Sequence, residues 1–280
     1  LPRMPRLIFL FCFLFCASIS SYSSVTIPPN IRVHLFSDRT IQEIKIQGVG
    51  LELEVYKSGK VEKINLDKFN VIVEKNKLAN QSRIIINSEE IDRSLNFGID
   101  SIIVSSQGVI RVQTIGGVSR NIFGSLRLLR YESDLLPVAL LSMDSYLIGV
   151  IDAELGRLDH IELWKAQAIL SRTWAMRNYR KFSKEGFPFG LTDDVRSQAF
   201  HGWPMNSNRL LKLKSAVKKT SKKYVADANK KPIEALFHAN SGGQTIPSGW
   251  YFNSRSSLVA VEDSFSLSTP QTFWEKRIDK

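Results

Sequence analysis

The chain has 280 residues, 43% of them hydrophobic and 23% charged, with a formal net charge of +11. This composition excludes a disordered or low-complexity chain and leaves room for one large domain or two small ones. Both cysteines, Cys12 and Cys16, lie near the N-terminus, so the rest of the chain has no disulfide framework and no thiolate metal site.

The first element is an apolar run, Leu7 to Ile19, behind Arg3 and Arg6 and followed by Ser20, Ser21, Ser23 and Ser24. It is too short to span a bilayer comfortably. Its basic flank, apolar centre and small residues predict a secretory signal over 1–23, with a retained N-terminal anchor as the alternative. The expected location is therefore export, to the periplasm or cell envelope, with membrane contact only through this segment. Without Arg3 and Arg6 the charge is +9, from 36 basic and 27 acidic residues. Such a chain suits an acidic polymer or an anionic membrane face; the plainer reading is that the charge serves solubility. Nucleic acid is not expected as a partner of an exported chain.

Residues 25–116 read as strands. Ile31 to Phe36, Ile44 to Ile46 and Leu51 to Tyr56 alternate, followed by Val71 to Val73, Arg83 to Ile86, Ser101 to Val104 and Val109 to Val112. Turn pairs such as Ser58-Gly59 and Gln107-Gly108 separate them. A strand pair is predicted between Asn121 and Leu141. Residues 144–155 then read as helical. A second helix is predicted from Asp159, as N-cap with Glu162 completing a capping box, to about Phe182. Its apolar residues, Trp164 and Trp174 among them, occupy too many sides for a surface helix. A third helix, Arg209 to about Lys219, sets Leu210, Leu213, Ala216 and Val217 against a lysine-rich side, and strands are predicted at 223–226 and 233–238. The fold class is α+β: a β-rich N-terminal region over 25–116 and a mixed α+β domain over 117–280.

Within the first helix, Leu147, Val150, Ile151 and Glu154 share one face at i, i+3, i+4, i+7. Glu154 ends an apolar stripe. A carboxyl there is disfavoured as a charge and inclined to keep its proton, which a general acid requires. The alternative is a Glu that closes the helix and reaches solvent or an Arg. Asp152 falls on the opposite face, and Asp193 and Asp194 lie in a later loop as solvated acids or as a second carboxylate.

Four stretches stand in order: Tyr146 to Glu154, Trp164 to Ala175 (WKAQAILSRTWA), Gln198 to Gly202 (QAFHG) and Phe237 to Thr245 (FHANSGGQT). Together they resemble the family of stage II sporulation protein D, SpoIID, which includes the amidase enhancer LytB. Its members look like Y-L-x-G-V-V-x-x-E-M, L-K-A-Q-A-x-x-A-R-T-Y-A, Q-x-Y-x-G and F-H-x-x-S-G-G-x-T. The resemblance covers about 117–280. It implies a lytic transglycosylase on peptidoglycan glycan strands stripped of stem peptides, working beside an N-acetylmuramoyl-L-alanine amidase in sporulation or cell division. It carries the catalytic acid onto Glu154. A single acid suffices where the muramic C6 hydroxyl attacks C1, unlike the carboxylate pair most glycosidases use. A non-catalytic, glycan-binding amidase enhancer is the alternative function.

The same resemblance assigns substrate binding to Lys165, Gln167, Arg172, Gln198, His238, Ser241, Gly242, Gly243 and Thr245. For Arg172 two roles stand side by side: holding Glu154 or a muramic lactyl carboxylate, for which guanidinium geometry is suited, and a structural ion pair. Lys165 and Gln167 have facing water as their alternative, and Ser241-Gly242-Gly243 is a groove wall or a plain turn. Ser241 with His238 lacks the turn and third member of a serine hydrolase. Trp203 and Trp250 are the tryptophans predicted in loops, where they are free to stack on sugars. Departures are Leu155 for the family's Met, Gly156 for Pro, and 193–197 (DDVRS), without the Cys and His metal ligands of some members. No metal and no cofactor is expected.

Overall fold

The computed structural model describes residues 28, 30–76, 81–87, 99–131, 134–238, 240–250 and 258–268, with side chains for all of these except 67–76, 81–83 and 87. The predicted signal segment lies outside the described residues. Among them, no helix is long and apolar enough to cross a membrane.

The strands are β1 (Ile31–His34), β2 (Glu43–Lys57), β3 (Lys60–Asn76), β4 (Gln81–Asn87), β5 (Ile99–Ser105), β6 (Ile110–Thr114), β7 (Ser119–Ile122), β8 (Ser125–Tyr131), β9 (Asp134–Leu141) and β10 (Leu191–Thr192). The helices are α1 (Met143–Leu155), α2 (Ile161–Asn178) and α3 (Ser207–Lys219). This is the mixed α+β architecture expected. The path through the sheet runs β10-β1-β9-β8-β5-β2-β3-β4, with β6 and β7 branching from β2.

β2 is the hub. Ile44 and Ile46 in its first half, and Leu51, Leu53 and Val55 in its second, are all fully buried. The alternation is broken between Gln47 and Leu51, where the register against β3 shifts. On the other edge of β2, the first half pairs with β6 and the second with β5. A bulge bends a strand and strengthens its twist, and here it lets one strand serve two neighbours. The β6-β7 hairpin is thereby carried away from the main sheet.

The sheet does not stop at residue 116. β1 pairs antiparallel with β9 and parallel with β10. The first described strand is therefore built into the sheet that carries the helices. β9 is buried along almost its whole length, with Ala139 and Leu141 in the main core and Leu136 and Val138 under Phe189. A strand covered on both faces reads as a continuous apolar run, as this one does.

Three details differ from the sequence reading. The N-cap of α2 is His160, without a side-chain cap bond. Asp159 pairs instead with Lys212 (2.8 Å) and Glu162 with Lys165 (2.6 Å). The helix ends at Asn178, and Phe182–Glu185 form a separate 3-10 turn. The two late strands reduce to a bridge between Ala226 and Pro232. Alternation yields a strand only where an edge is open to pair, whereas the Val225 N–H here donates to Thr173 Oγ1 (2.9 Å).

Candidate active site

α1 is stopped at both ends by local chemistry. The Ser142 side chain accepts from the Ser145 N–H, which caps the start, and Gly156 ends the helix at a φ of 51°. Between them Tyr146, Leu147, Ile148, Gly149, Val150 and Ile151 are all buried. Glu154 follows in the last turn, half-buried.

The partner of Glu154 comes from a distant loop. The Ala199 N–H donates to Glu154 Oε1 at 2.9 Å across 45 residues of sequence. One residue earlier, Gln198 is 3% exposed, and its Oε1 accepts from the Tyr146 hydroxyl at 3.2 Å. Burial first, and the nearby Glu154 charge second, push the Tyr146 pKa up, so this hydroxyl stays protonated and donates. Among the described residues, the buried Gln198 Nε2 has no hydrogen-bond partner. Phe200 lies flat against Tyr146, with ring centroids 5.9 Å apart at 14°.

This approach needs two glycines. A Cβ on Gly149 would stand 2.4 Å from Phe200 Cε2 and 2.9 Å from the Gly202 carbonyl oxygen. Gly202 has a φ of 97°, and a Cβ there would stand 2.6 Å from the Asn121 carbonyl oxygen. The segment 198–203 is thus wedged between α1 and β7, where the Trp203 N–H also donates to that Asn121 oxygen (2.6 Å).

Further back the loop is tied by a buried acid. Asp193 accepts from the Phe36 N–H (2.9 Å), the Ser37 N–H (3.0 Å), the Ser37 hydroxyl (2.8 Å) and Arg120 Nε (3.2 Å). Arg120 and Asn121 are both in β7. The N-terminal strands therefore fix the loop that reaches Glu154.

The four acids singled out by sequence differ in their partners. Asp152 is ion-paired with Arg209, which also donates to the Gly156 carbonyl (2.5 Å) and lies over the Trp164 ring. Asp193 has the four donors above. Asp194 is bound by Arg196 (2.7 Å) and by the Thr192 hydroxyl (2.9 Å). Partial burial works to raise its pKa, but bonds from the Arg196 side chain and backbone and from Thr192 outweigh it and lower it to about 2. Neither loop acid is simply solvated, and neither is available as a second catalytic carboxylate. Among the described residues, no cation pairs with Glu154 and its Oε2 receives no hydrogen bond.

The remaining predicted residues divide. Arg172 is 1% exposed. Its guanidinium donates to the carbonyls of Ala168 (3.4 Å), Thr220 (2.9 Å), Lys223 (3.1 Å) and Val217 (3.4 Å). It braces the end of α3 and meets neither Glu154 nor an ion-pair partner. Gln167 is also buried, with Nε2 donating to Ser171 Oγ (3.0 Å). Both are sealed in the helix packing, which corrects their assignment to substrate binding: a donor spent inside has nothing to offer a ligand. Lys165 is half-buried and bonded to Glu162.

His238 is exposed. Ser241 Oγ donates to Asp263 Oδ2 (2.7 Å) and lies 2.8 Å from Ser266 Oγ, while Gly243 N–H donates to Ser266 Oγ (2.7 Å). Gly242 and Gly243 adopt φ of 69° and 102°, and Thr245 Oγ1 accepts from the Val261 N–H (2.8 Å). These bonds knit Ser241–Thr245 to residues 261–266. Trp203 is not a free platform: it is 7% exposed and stacks on Phe123 at 4.9 Å. Trp250 is 75% exposed.

Sequence reasoning assigned no role to Tyr146, the Ala199 amide, Ser37 or Arg120. The signal for the first two was present as Gly149 and Gly202, glycines inside a helix and a motif where close approach is the usual reason.

Residues 131–226 match the family described as Stage II sporulation protein, SpoIID. Over these residues the chain is similar to the SpoIID family. The match contains Glu154, Tyr146, Gly149 and Gln198–Gly202. It leaves out Phe36, Ser37, Arg120 and Asn121, which clamp the SpoIID loop from the N-terminal strands. A relative, an uncharacterized protein of Brachyspira hyodysenteriae, is 26% identical over 158 residues, which cover 55% of this chain and 41% of that protein. The aligned part thus spans less than half of the relative's length.

Proposed function

We propose that the protein is a peptidoglycan lytic transglycosylase acting on glycan strands stripped of stem peptides, with Glu154 as its acid and base. One observation carries this reading. Of the four acids named above, Glu154 alone has no cation or side-chain donor, and a backbone amide holds it by one oxygen. A carboxyl oriented by one oxygen and free at the other is equipped to move a proton.

In this reading Glu154 gives its proton to the glycosidic oxygen as the bond from muramic C1 breaks. The resulting carboxylate takes the proton of the C6 hydroxyl as that oxygen bonds to C1. The products are a strand with a new free hydroxyl end and a 1,6-anhydro-muramic end, and the acid is regenerated. No second carboxylate is needed, in keeping with the engagement of Asp152, Asp193 and Asp194 elsewhere. The reading also requires export, since the substrate lies outside the cytoplasmic membrane, and a partner amidase that removes the peptides.

The test is digestion of peptide-free glycan by the purified protein, followed by mass spectrometry of the ends. Anhydro-muramic ends are expected, with Glu154→Gln lowering the rate by roughly 10²–10⁴-fold, the usual range for a general acid–base residue. Full activity in Glu154→Gln would sink the proposal. Reducing ends alone would make the enzyme a muramidase. Glycan binding and amidase stimulation without cleavage would make it an amidase enhancer.

A further inference from the structure

Residues 209–231 hold nine of the 38 basic residues against one acid, Asp227. Some of these cations are occupied. Arg209 pairs with Asp152 and Lys212 with Asp159, and Lys219 lies within electrostatic reach of Glu162. Lys214, Lys218, Lys222 and Lys223 are different: each is exposed and, among the described residues, none forms an ion pair. Lys214 and Lys218 are four apart on α3, where like charges repel. α3 ends at Lys219, and Lys222, at a φ of 61°, and Lys223 follow just beyond it. At a rise of 1.5 Å per helical residue, Lys214 and Lys218 stand about 6 Å apart along the axis. The unpaired charges therefore follow one another along α3 and just past its end.

The first of these lysines touches the loop that positions Glu154. Lys214 Nζ lies 5.2 Å from the centre of the Trp203 ring. Trp203 is four residues beyond Ala199, whose N–H holds Glu154. A polymer seated at Glu154 has, next to the loop that positions the acid, a succession of cations along α3 and past its end. A glycan stripped of its peptides is a linear polymer with a free lactyl carboxylate on every second sugar. That charge pattern suits cations set one after another, whereas a bilayer presents charge over a plane.

We propose that Lys214, Lys218, Lys222 and Lys223 form an exosite for the lactyl carboxylates of a stripped glycan strand, outside the residues that hold Glu154. The inference rests on the glycan reading above. It gives a physical basis for preferring stripped strands, because removing the peptide exposes the carboxylate that these lysines attract.

The experiment measures binding of peptide-stripped glycan strands to the full chain carrying Glu154→Gln, at low and moderate salt. Replacing the four lysines by Gln is expected to weaken binding by about tenfold, the scale of four exposed ion pairs, and to flatten its salt dependence. A charge-matched variant, with Lys45, Lys60, Arg111 and Lys184 replaced by Gln, is expected to bind like its parent. Strands with amidated carboxylates should bind weakly and be insensitive to the four changes. Unchanged binding in the lysine variant, equal loss in the charge-matched variant, or tight binding of amidated strands would each overturn the exosite. So would lost binding to phosphatidylglycerol vesicles with glycan binding unchanged, which would assign these lysines to a membrane surface. In the otherwise unchanged chain, the lysine variant should raise KM with kcat preserved. Lysine-dependent binding without any cleavage would uphold the exosite and defeat the transglycosylase reading; cleavage with lysine-independent binding would do the reverse.

Discussion

Adding one methyl group at Gly149 tests how the loop reaches the acid. In an open helix interior, Gly→Ala stabilises by about 1 kcal/mol, because alanine loses less backbone freedom. Here the new Cβ would sit 2.4 and 2.8 Å from two Phe200 ring carbons and 2.9 Å from the Gly202 oxygen. The ring cannot simply swing aside, since Phe200 is 1% exposed and stacked on Tyr146. The Gly202 carbonyl is backbone, held by the neighbouring Trp203–Asn121 bond. Relief requires the 198–202 segment to move off α1, at an overpacking cost of about 1–3 kcal/mol. The net expectation is therefore a loss of up to about 2 kcal/mol, the gain in propensity being outweighed. The same movement draws the Ala199 amide away from Glu154. A hydrogen bond to a charged group contributes about 1.5–3 kcal/mol. If that bond orients the acid in the transition state, glycan cleavage falls by roughly ten- to a hundredfold. Urea unfolding and the anhydro-end assay read the two effects on one sample. A Gly149→Ala protein more stable by about 1 kcal/mol, with unchanged cleavage, would refute the wedge between α1 and the loop.

Three other perturbations follow from the same geometry. Arg172→Met removes a buried donor from the Thr220, Lys223 and Val217 carbonyls, of which Thr220 keeps the Lys223 N–H and Val217 the Thr220 hydroxyl, and should lower stability by roughly 1–3 kcal/mol in urea unfolding; Arg172→Lys should not restore it, because an ammonium lacks the guanidinium's planar spread of donors. A surface role for Arg172 would give no measurable change in either variant. Asp193→Asn weakens the tie to Arg120 and Ser37 and should cost about 1–3 kcal/mol, and cleavage should fall although the residue is outside the site; wild-type stability and rate would show that the N-terminal strands do not fix the loop. His34 is lowered from its ordinary pKa of 6.5 to about 4, first by burial, with Arg196 adding and the Asp193 and Asp194 charges opposing. Its folded form resists a proton that the unfolded chain accepts. Its contribution is therefore whole above about pH 6.5 and declines as the pH falls toward 4. His34→Gln should remove that part of the acid slope, and an identical slope in both proteins would contradict the shift.

Much of the fold was legible because it is local. The alternation in 31–36 and 51–56 gave strands with buried Ile31, Val33, Leu51, Leu53 and Val55. The stripe of Leu147, Val150 and Ile151 gave α1, and the apolar breadth of 161–178 gave a buried α2. The expected cap of α2 failed for a local reason overridden at a distance. Asp159 and Glu162 had the spacing of a capping box, but lysines on α3 and α2 offered each an ion pair instead.

The order of four motifs and a lone acid at the end of an apolar stripe sufficed to bring out the SpoIID resemblance and to single out Glu154. Sequence by itself carries such information because periodicity and motif spacing are properties of neighbouring residues. The partners of those residues were decided only in three dimensions. The Ala199 amide meets Glu154 across 45 residues, and the Phe36 amide meets Asp193 across 157. A backbone N–H has no residue type to recognise, and a buried Arg has the same letter as an exposed one. Tertiary packing made Arg172 a brace, made the β-rich half a clamp on the loop, and left Glu154, of the four acids singled out, without a cation or side-chain donor among the described residues, because it fixed which charges could reach one another.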